Sequence, residues 1–297
     1  MNINELKLWT ALVTPMQSDG SVDFAGLENI VRQQEAAGNG ILLLGSTGEG
    51  LALDQEEKKS VVSFVSGMNP DIGVMVGVGG FNLKQQQQWI ETCNHLNIDA
   101  FLLVSPLYSK PGPVGMEAWF RSLLDVSGKP CMLYNIPGRT GVKIPPSVIQ
   151  ALSGHPNMWS IKEASGSKTD YNTFRQTTPE IPIFSGDDLM LPVFAEFGCS
   201  GLVSVASNIW PQATARYVDL SLARETSSFG EVWTKAVKAL FSASNPIPAK
   251  VLLVEKGWIE HPDLRLPLTT RELKDKNILL EADKSILNWY SNLKIKD

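Results

Sequence analysis

Lys162 stands in the short run Trp159-Ser160-Ile161-Lys162-Glu163-Ala164, which predicts a strand with an ammonium group on it. Burial lowers a lysine's pKa toward a value at which it can act as a nucleophile. A lysine near a strand more often keeps its ammonium in water at an end or edge. Lys162 is set apart by other residues of the chain. Gly45-Ser46-Thr47-Gly48-Glu49-Gly50 offers backbone N–H groups and two hydroxyls to an anion. It lacks the lysine of a nucleotide-binding P-loop, and ordinary turns look similar. Tyr108 follows Ser105-Pro106-Leu107, and Tyr134 opens Tyr134-Asn135-Ile136-Pro137-Gly138-Arg139-Thr140-Gly141. A tyrosine there can be a packing residue with a wet hydroxyl. Beside an arginine it can instead shuttle a proton while Arg139 grips a carboxylate. A hydroxyl cradle, a proton shuttle, a carboxylate clamp and an amine describe chemistry on a 2-oxo acid. The amine condenses with the keto carbon, and the imine is an electron sink for an adjacent carbanion. Free lysine is neutral in only about one molecule in a few thousand at pH 7, so burial must supply the reactivity.

The elements that would hold these groups follow a regular pattern. Apolar runs occur at 9–13, 41–44, 73–76, 100–104, 131–134, 159–161, 181–184 and 201–205. Amphipathic stretches lie between them at 24–37, 55–68, 83–96, 114–126, 146–152, 171–177 and 189–197. Alternating strands and helices favour a parallel sheet. Eight βα units in about 225 residues fit an α/β fold, the (β/α)8 TIM barrel. A doubly wound open sheet is the alternative, but no GxGxxG fingerprint follows the first strand. In a barrel, Ser46, Thr47, Tyr108, Tyr134, Arg139 and Lys162 would share the C-terminal mouth. Residues 1–225 are read as the catalytic barrel and 226–297 as a helical C-terminal extension, with helices at 229–243, 247–256 and 283–294. The run Gln85–Gln88 is read as a solvated helix face.

Composition excludes several classes. Of 297 residues, 43% are hydrophobic and 19% charged, enough apolar material for a large core. A net charge of −5 argues against a nucleic-acid partner. Cys93, Cys131 and Cys199 show no CxxC pairing, as suits a reducing compartment, and the last two read as core residues. His95, His155 and His261 read as solvated and show no metal-ligand spacing. The first nine residues lack an apolar signal region, and no stretch reaches membrane-spanning length. A cytoplasmic protein is expected.

The motifs GSTGEG (45–50), SPLY (105–108), YNIPGRTG (134–141) and IKEASG (161–166) recur in one known family in this order. So do SGDD (185–188), GLVSVASN (201–208), NPIPAK (245–250) and LRLPL (264–268). Over essentially its whole length the chain resembles the dihydrodipicolinate synthase/N-acetylneuraminate lyase family of class I pyruvate aldolases. The resemblance implies a barrel with a helical extension, a homotetramer built as a dimer of dimers, and no metal or organic cofactor. It implies a Schiff base between Lys162 and pyruvate, and a pyruvate carboxylate held by Ser46 and Thr47. Tyr134 would transfer protons, hydrogen-bonded to Ser46 and to Tyr108 reaching in from a neighbouring subunit. Backbone groups at Gly186 and Val203 would line the pocket. Arg139 resembles the synthase branch, where it meets the carboxylate of L-aspartate-4-semialdehyde. The implied product is 4-hydroxy-tetrahydrodipicolinate, the entry to diaminopimelate and lysine.

The chain also departs from the family pattern. Ser46-Thr47 stands where most synthases have Thr-Thr, and a serine is less constrained at χ1. In the bacterial lysine-feedback site, Leu107 replaces a tyrosine, Gln55 and Lys58 replace histidines, and Gln86 replaces a glutamate, while Asn82 matches. Weak or absent inhibition by lysine is expected. Two rival readings stand beside the synthase. One is another pyruvate aldolase, such as an N-acetylneuraminate lyase or a sugar-acid aldolase. The other is a catalytically silent barrel that senses a small molecule.

Overall fold

The apolar runs form parallel strands β1 (Leu8–Ala11), β2 (Gly40–Leu43), β3 (Val74–Val78), β4 (Ala100–Val104), β5 (Cys131–Asn135), β6 (Met158–Glu163), β7 (Ile183–Ser185) and β8 (Gly201–Ser204). In this computed structural model, which describes residues 2–294, β1 pairs with β8 and the sheet closes into a barrel. The outer helices are α1 (Phe24–Ala37), α2 (Gln55–Met68), α3 (Leu83–Asn94), α4 (Pro113–Val126), the short α5 (Pro137–Thr140), α6 (Pro146–Leu152), α7 (Lys168–Thr177), α8 (Leu191–Ala195) and α9 (Pro211–Leu222). The expected (β/α)8 barrel is therefore the fold.

Side-chain alternation divides the core in two. Trp9, Leu42, Met75, Leu102, Met132 and Phe184 fill the barrel interior, while Ile41, Val74, Phe101, Leu133 and Ile161 face the helices. Local chemistry sets several helix starts. Asp54 and Glu57 form a capping box on α2, Asn82 caps α3, and proline occupies the first turn of α4 and α9.

Strand β6 breaks the alternation. Cys131 pairs with Met158, but Met132 pairs with Ser160, so Trp159 is an extra residue. Such a bulge shifts every later side chain to the opposite face. Trp159 packs inward on Trp9 and Phe184, with ring centroids 6.0 and 5.8 Å away. Beyond the bulge, Lys162 is the register partner of Tyr134 and also points inward.

Some elements differ from the sequence expectation. Helix α9 was not anticipated, because Thr214 and Ser221 on its buried face dilute the apolar stripe. Gln86 is buried rather than solvated. His155 is mostly buried, facing Asp125 at 3.1 Å and accepting from the Asn157 amide at 3.1 Å. His261 is partly buried beside Glu260 at 3.6 Å, and His95 is exposed as expected.

Helices α10 (Gly230–Leu240), α11 (Ile247–Glu255) and α12 (Asn277–Lys294) follow the barrel. Trp233, Leu253, Leu279 and Trp289 join the same apolar cluster as the barrel's outer layer. Tyr217 of α9 stacks on Trp233 of α10 at 3.9 Å. The extension also docks onto the barrel mouth through charge. Lys250 and Glu49 form an ion pair at 2.5 Å with side chains 0% and 2% exposed. Lys250 also donates to the Asp263 carbonyl at 2.7 Å, and the Arg265 amide donates to Glu49 Oε2 at 2.8 Å. Removing one partner of such a pair strands the other charge, at a cost of about 3–5 kcal/mol. Lys250→Met should therefore lower the thermal midpoint by several degrees, and adding Glu49→Leu should recover part of the loss. Unfolding curves with an unchanged midpoint for the single variant would show that the pair anchors nothing.

Candidate active site

The mouth is built from the last residues of the strands and from the loops just past them. The inward position of Lys162 leaves its side chain 5% exposed, with Nζ 4.3 Å from the centroid of the Tyr134 ring. A bare backbone at Gly186, just after β7, makes room for this stem. A Cβ there would sit 2.7 Å from Lys162 Cε and 2.8 Å from Ala164 Cβ, too close for any substituent.

Seven of the eight expected site residues line one cavity of about 250 Å3: Ser46, Thr47, Tyr134, Arg139, Lys162, Gly186 and Val203. Tyr108 lies apart. It is 93% exposed with φ +67°, and lines a second cavity of about 860 Å3 together with Ser46, Tyr134 and Arg139. Among the described residues, the Tyr134 hydroxyl forms no hydrogen bond to Ser46 or Tyr108. Ser46 is exposed at the cavity wall. Arg139, on α5, is exposed and has no carboxylate partner within ion-pair distance among the described residues.

Burial brings the Lys162 ammonium down to about 7. The Asp188 carboxylate opposes that shift, and the Arg139 guanidinium adds to it. Burial pushes the Tyr134 phenol up to about 12, with Arg139 opposing. The site thus holds an amine that is substantially neutral near pH 7 beside a phenol that keeps its proton.

Sequence reasoning missed two members of this site. Asp188 follows Gly186 by two residues and is 2% exposed. It accepts from Ser204 Oγ at 2.5 Å and from the Val205 amide at 3.0 Å. Burial raises its carboxyl to about 6 against those hydrogen bonds. Asn245, from the extension, donates through Nδ2 to Thr47 Oγ1 at 2.9 Å. That bond occupies a lone pair of Thr47, so the hydroxyl proton can only be donated elsewhere. The motifs SGDD and NPIPAK held both residues, but no local periodicity marks a contact spanning 198 residues.

The four feedback-site departures also come together: Gln55, Lys58, Gln86 and Leu107 all line the larger cavity. Burial lowers the Lys58 ammonium from its ordinary value, with Asp54 opposing. The Asn82 side chain is engaged as the cap of α3. Among the described residues, no group of three or more His, Cys, Asp or Glu side chains is arranged to hold a metal. No described helix is long and apolar enough to cross a membrane.

Comparison with known proteins identifies the family. Residues 4–285 match the profile of the Dihydrodipicolinate synthetase family. The chain is 48% identical over 288 residues to the 4-hydroxy-tetrahydrodipicolinate synthase of Francisella philomiragia subsp. philomiragia, covering 97% of this chain and 98% of that one. Among solved structures, it superposes on the 4-hydroxy-tetrahydrodipicolinate synthase of Methylacidiphilum fumariolicum SolV with a TM-score of 0.90 at 29% identity, covering 97% and 99% of the two chains. It superposes on a chloride-inhibited dihydrodipicolinate synthase from Acinetobacter baumannii complexed with pyruvate with a TM-score of 0.86 at 30% identity, covering 95% and 98%.

The lowered pKa of Lys162 has a consequence for stability. A group whose folded pKa is about 7 and unfolded pKa about 10.5 penalises the fold fully below pH 7. That penalty fades as pH rises through the window between the two values, where the unfolded chain binds the extra proton. Lys162→Met should stabilise the protein by on the order of 3 kcal/mol at pH 6, and by less at pH 9. Denaturant unfolding at the two pH values checks this, and an equal gain at both would contradict a buried, desolvated amine.

Proposed function

Because the chain belongs to the dihydrodipicolinate synthetase family, we propose that it is a 4-hydroxy-tetrahydrodipicolinate synthase, condensing pyruvate with L-aspartate-4-semialdehyde. The observation that carries the reading to the residue level is the buried Lys162 amine facing Tyr134 in the barrel mouth.

The neutral amine attacks the keto carbon of pyruvate, while Thr47, oriented by Asn245, and Ser46 hydrogen-bond through their hydroxyls to the pyruvate carboxylate. The resulting carbinolamine loses water, with Tyr134 supplying the proton for the departing oxygen, and an imine to Lys162 remains. The imine withdraws electrons from the pyruvate methyl, which returns a proton to the Tyr134 phenoxide and becomes an enamine. The enamine carbon attacks the aldehyde of aspartate semialdehyde, forming the C–C bond and an alkoxide that takes up a proton. Arg139 holds the carboxylate of this second substrate. The substrate's own amine then displaces Lys162 from the imine and closes the ring, so the enzyme is regenerated and one water is released overall.

We propose that a neighbouring copy of the chain covers the mouth face, and exposed apolar side chains there support this reading. There Tyr108, Leu51, Phe81 and Val114 are exposed past the ends of β2, β3 and β4, and a homotetramer is the proposed assembly. The larger cavity is a poor lysine site. It contains Lys58, Lys110 and Arg139 and no carboxylate in its lining, so the ammonium of a bound lysine would find no counter-charge.

Borohydride reduction with pyruvate should add one reduced pyruvyl group to Lys162 and none to Lys162→Ala. The trapping rate should fall about tenfold per pH unit below pH 7 and level off above it. Purified enzyme should turn over pyruvate with aspartate semialdehyde in preference to N-acetylmannosamine or sugar-acid aldehydes. The rate should hold with lysine titrated into the millimolar range. No adduct on Lys162 would refute the imine mechanism, and half-inhibition at sub-millimolar lysine would refute the reading of the larger cavity.

A further inference from the structure

Strand β5 ends at Asn135 and β6 at Glu163, and the two are register partners. They alternate with Tyr134 and Lys162, so their side chains lie on the other side of the sheet, 1% and 0% exposed. No step of the proposed reaction uses them, yet each of their side-chain nitrogen and oxygen atoms has a hydrogen-bond partner. Asn135 Nδ2 donates to Glu163 Oε2 at 2.6 Å, and the Ser165 amide donates to Glu163 Oε1 at 2.6 Å. The Ile144 amide donates to Asn135 Oδ1 at 3.0 Å. The segment 136–143 therefore leaves the barrel at Asn135 and is gripped again by the same side chain at its far end. Arg139 sits in the middle of that segment. Inside it, the single hydroxyl proton of Thr140 has two carbonyl acceptors in reach, Val142 at 2.9 Å and Ile136 at 3.1 Å. The backbones of the same pair reach other parts of the site. Ala164 donates to the Asn135 carbonyl at 2.9 Å, and Gly186 to the Glu163 carbonyl at 2.8 Å.

We propose that Asn135 and Glu163 form a buried clasp that sets the position of Arg139 relative to Lys162, making them positioning residues for the aldehyde substrate. This rests on the function proposed above for Arg139. The chemistry of the clasp is specific. Two N–H donors converge on Glu163, so the position requires two acceptor oxygens. A glutamine there supplies one acceptor and one donor, and leaves a donor facing a donor in a site without water access. An aspartate in place of Asn135 sets a second carboxylate against the first. Making both substitutions together restores the pattern. The carboxylate introduced by Asn135→Asp would accept from the Ile144 amide and from the side-chain amide introduced by Glu163→Gln. The oxygen of that new side-chain amide would accept from the Ser165 amide.

The test is a double-mutant cycle of Glu163→Gln, Asn135→Asp and the exchange of both, read in three ways. Each single variant should raise the KM for aspartate semialdehyde about tenfold or more, while borohydride trapping of pyruvate on Lys162 keeps its rate. Each should speed hydrogen exchange across 139–144, including the Ile144 amide. The exchange variant should recover most of both losses, despite carrying two substitutions. The proposal is overturned if the singles leave KM and exchange unchanged, if trapping falls in parallel with KM, or if the paired exchange fails to rescue. Hydrogen exchange reads the clasp without any substrate. The wild-type trapping and turnover assays read the assigned reaction without any variant, so the two ideas can fail separately.

Discussion

Keeping one ammonium group out of water is the constraint around which this barrel is arranged. Lys162 costs the fold free energy whenever it is charged, and several features of the mouth exist on its account. The glycine at 186 leaves space for its stem. The Tyr134 ring offers its face at 4.3 Å instead of a hydrated surface. Arg139 favours the neutral amine while Asp188 favours the charged form. In the proposed reaction, that balance lets the amine attack a carbonyl and, as an iminium, carry charge beside a carboxylate. Stronger pairing of Lys162 would stabilise the protein and silence the nucleophile, the usual opposition between stability and activity at such sites.

The extension is part of that arrangement rather than an outer layer. Asn245 sets the hydroxyl of Thr47, and Lys250 meets Glu49 inside the loop that also bears Ser46. The loop GSTGEG is thus held from two sides, by β2 and by α11 with the segment before it. Without these contacts the loop bearing Ser46 and Thr47, the proposed pyruvate-carboxylate cradle, would lose two of its anchors.

Much of the architecture was legible from residue pattern. Runs such as 100–104 became strands because a parallel strand covered on both faces is apolar throughout. Helices α1, α2 and α6 lie at the expected positions, because their stripes recur at helical spacing. The residues of the site were legible by type: an amine, two tyrosines, an arginine and two hydroxyls at strand ends. Their partners were not. Asp188 and Asn245 are polar residues whose neighbours are distant in sequence, and nothing local separates them from loop residues. Gln86 and His155 read as solvated for the same reason, since polarity alone does not tell a surface side chain from one paired below it. Helix α9 escaped notice because buried serine and threonine count against an apolar stripe.

The bulge at Trp159 carries a last consequence. Trp159 and Lys162 are three residues apart, an odd interval, yet both face the barrel interior. A strand of unbroken parity cannot do this. Paired without interruption, the same six residues would keep their ladder and present Ile161 to the interior, with Lys162 turned out among the helices. The aromatic floor and the amine are thus written in opposite phases of one strand, joined by a single uncounted residue. The interior of this barrel is an amine site through a frameshift in pairing, not through the order of its side chains alone.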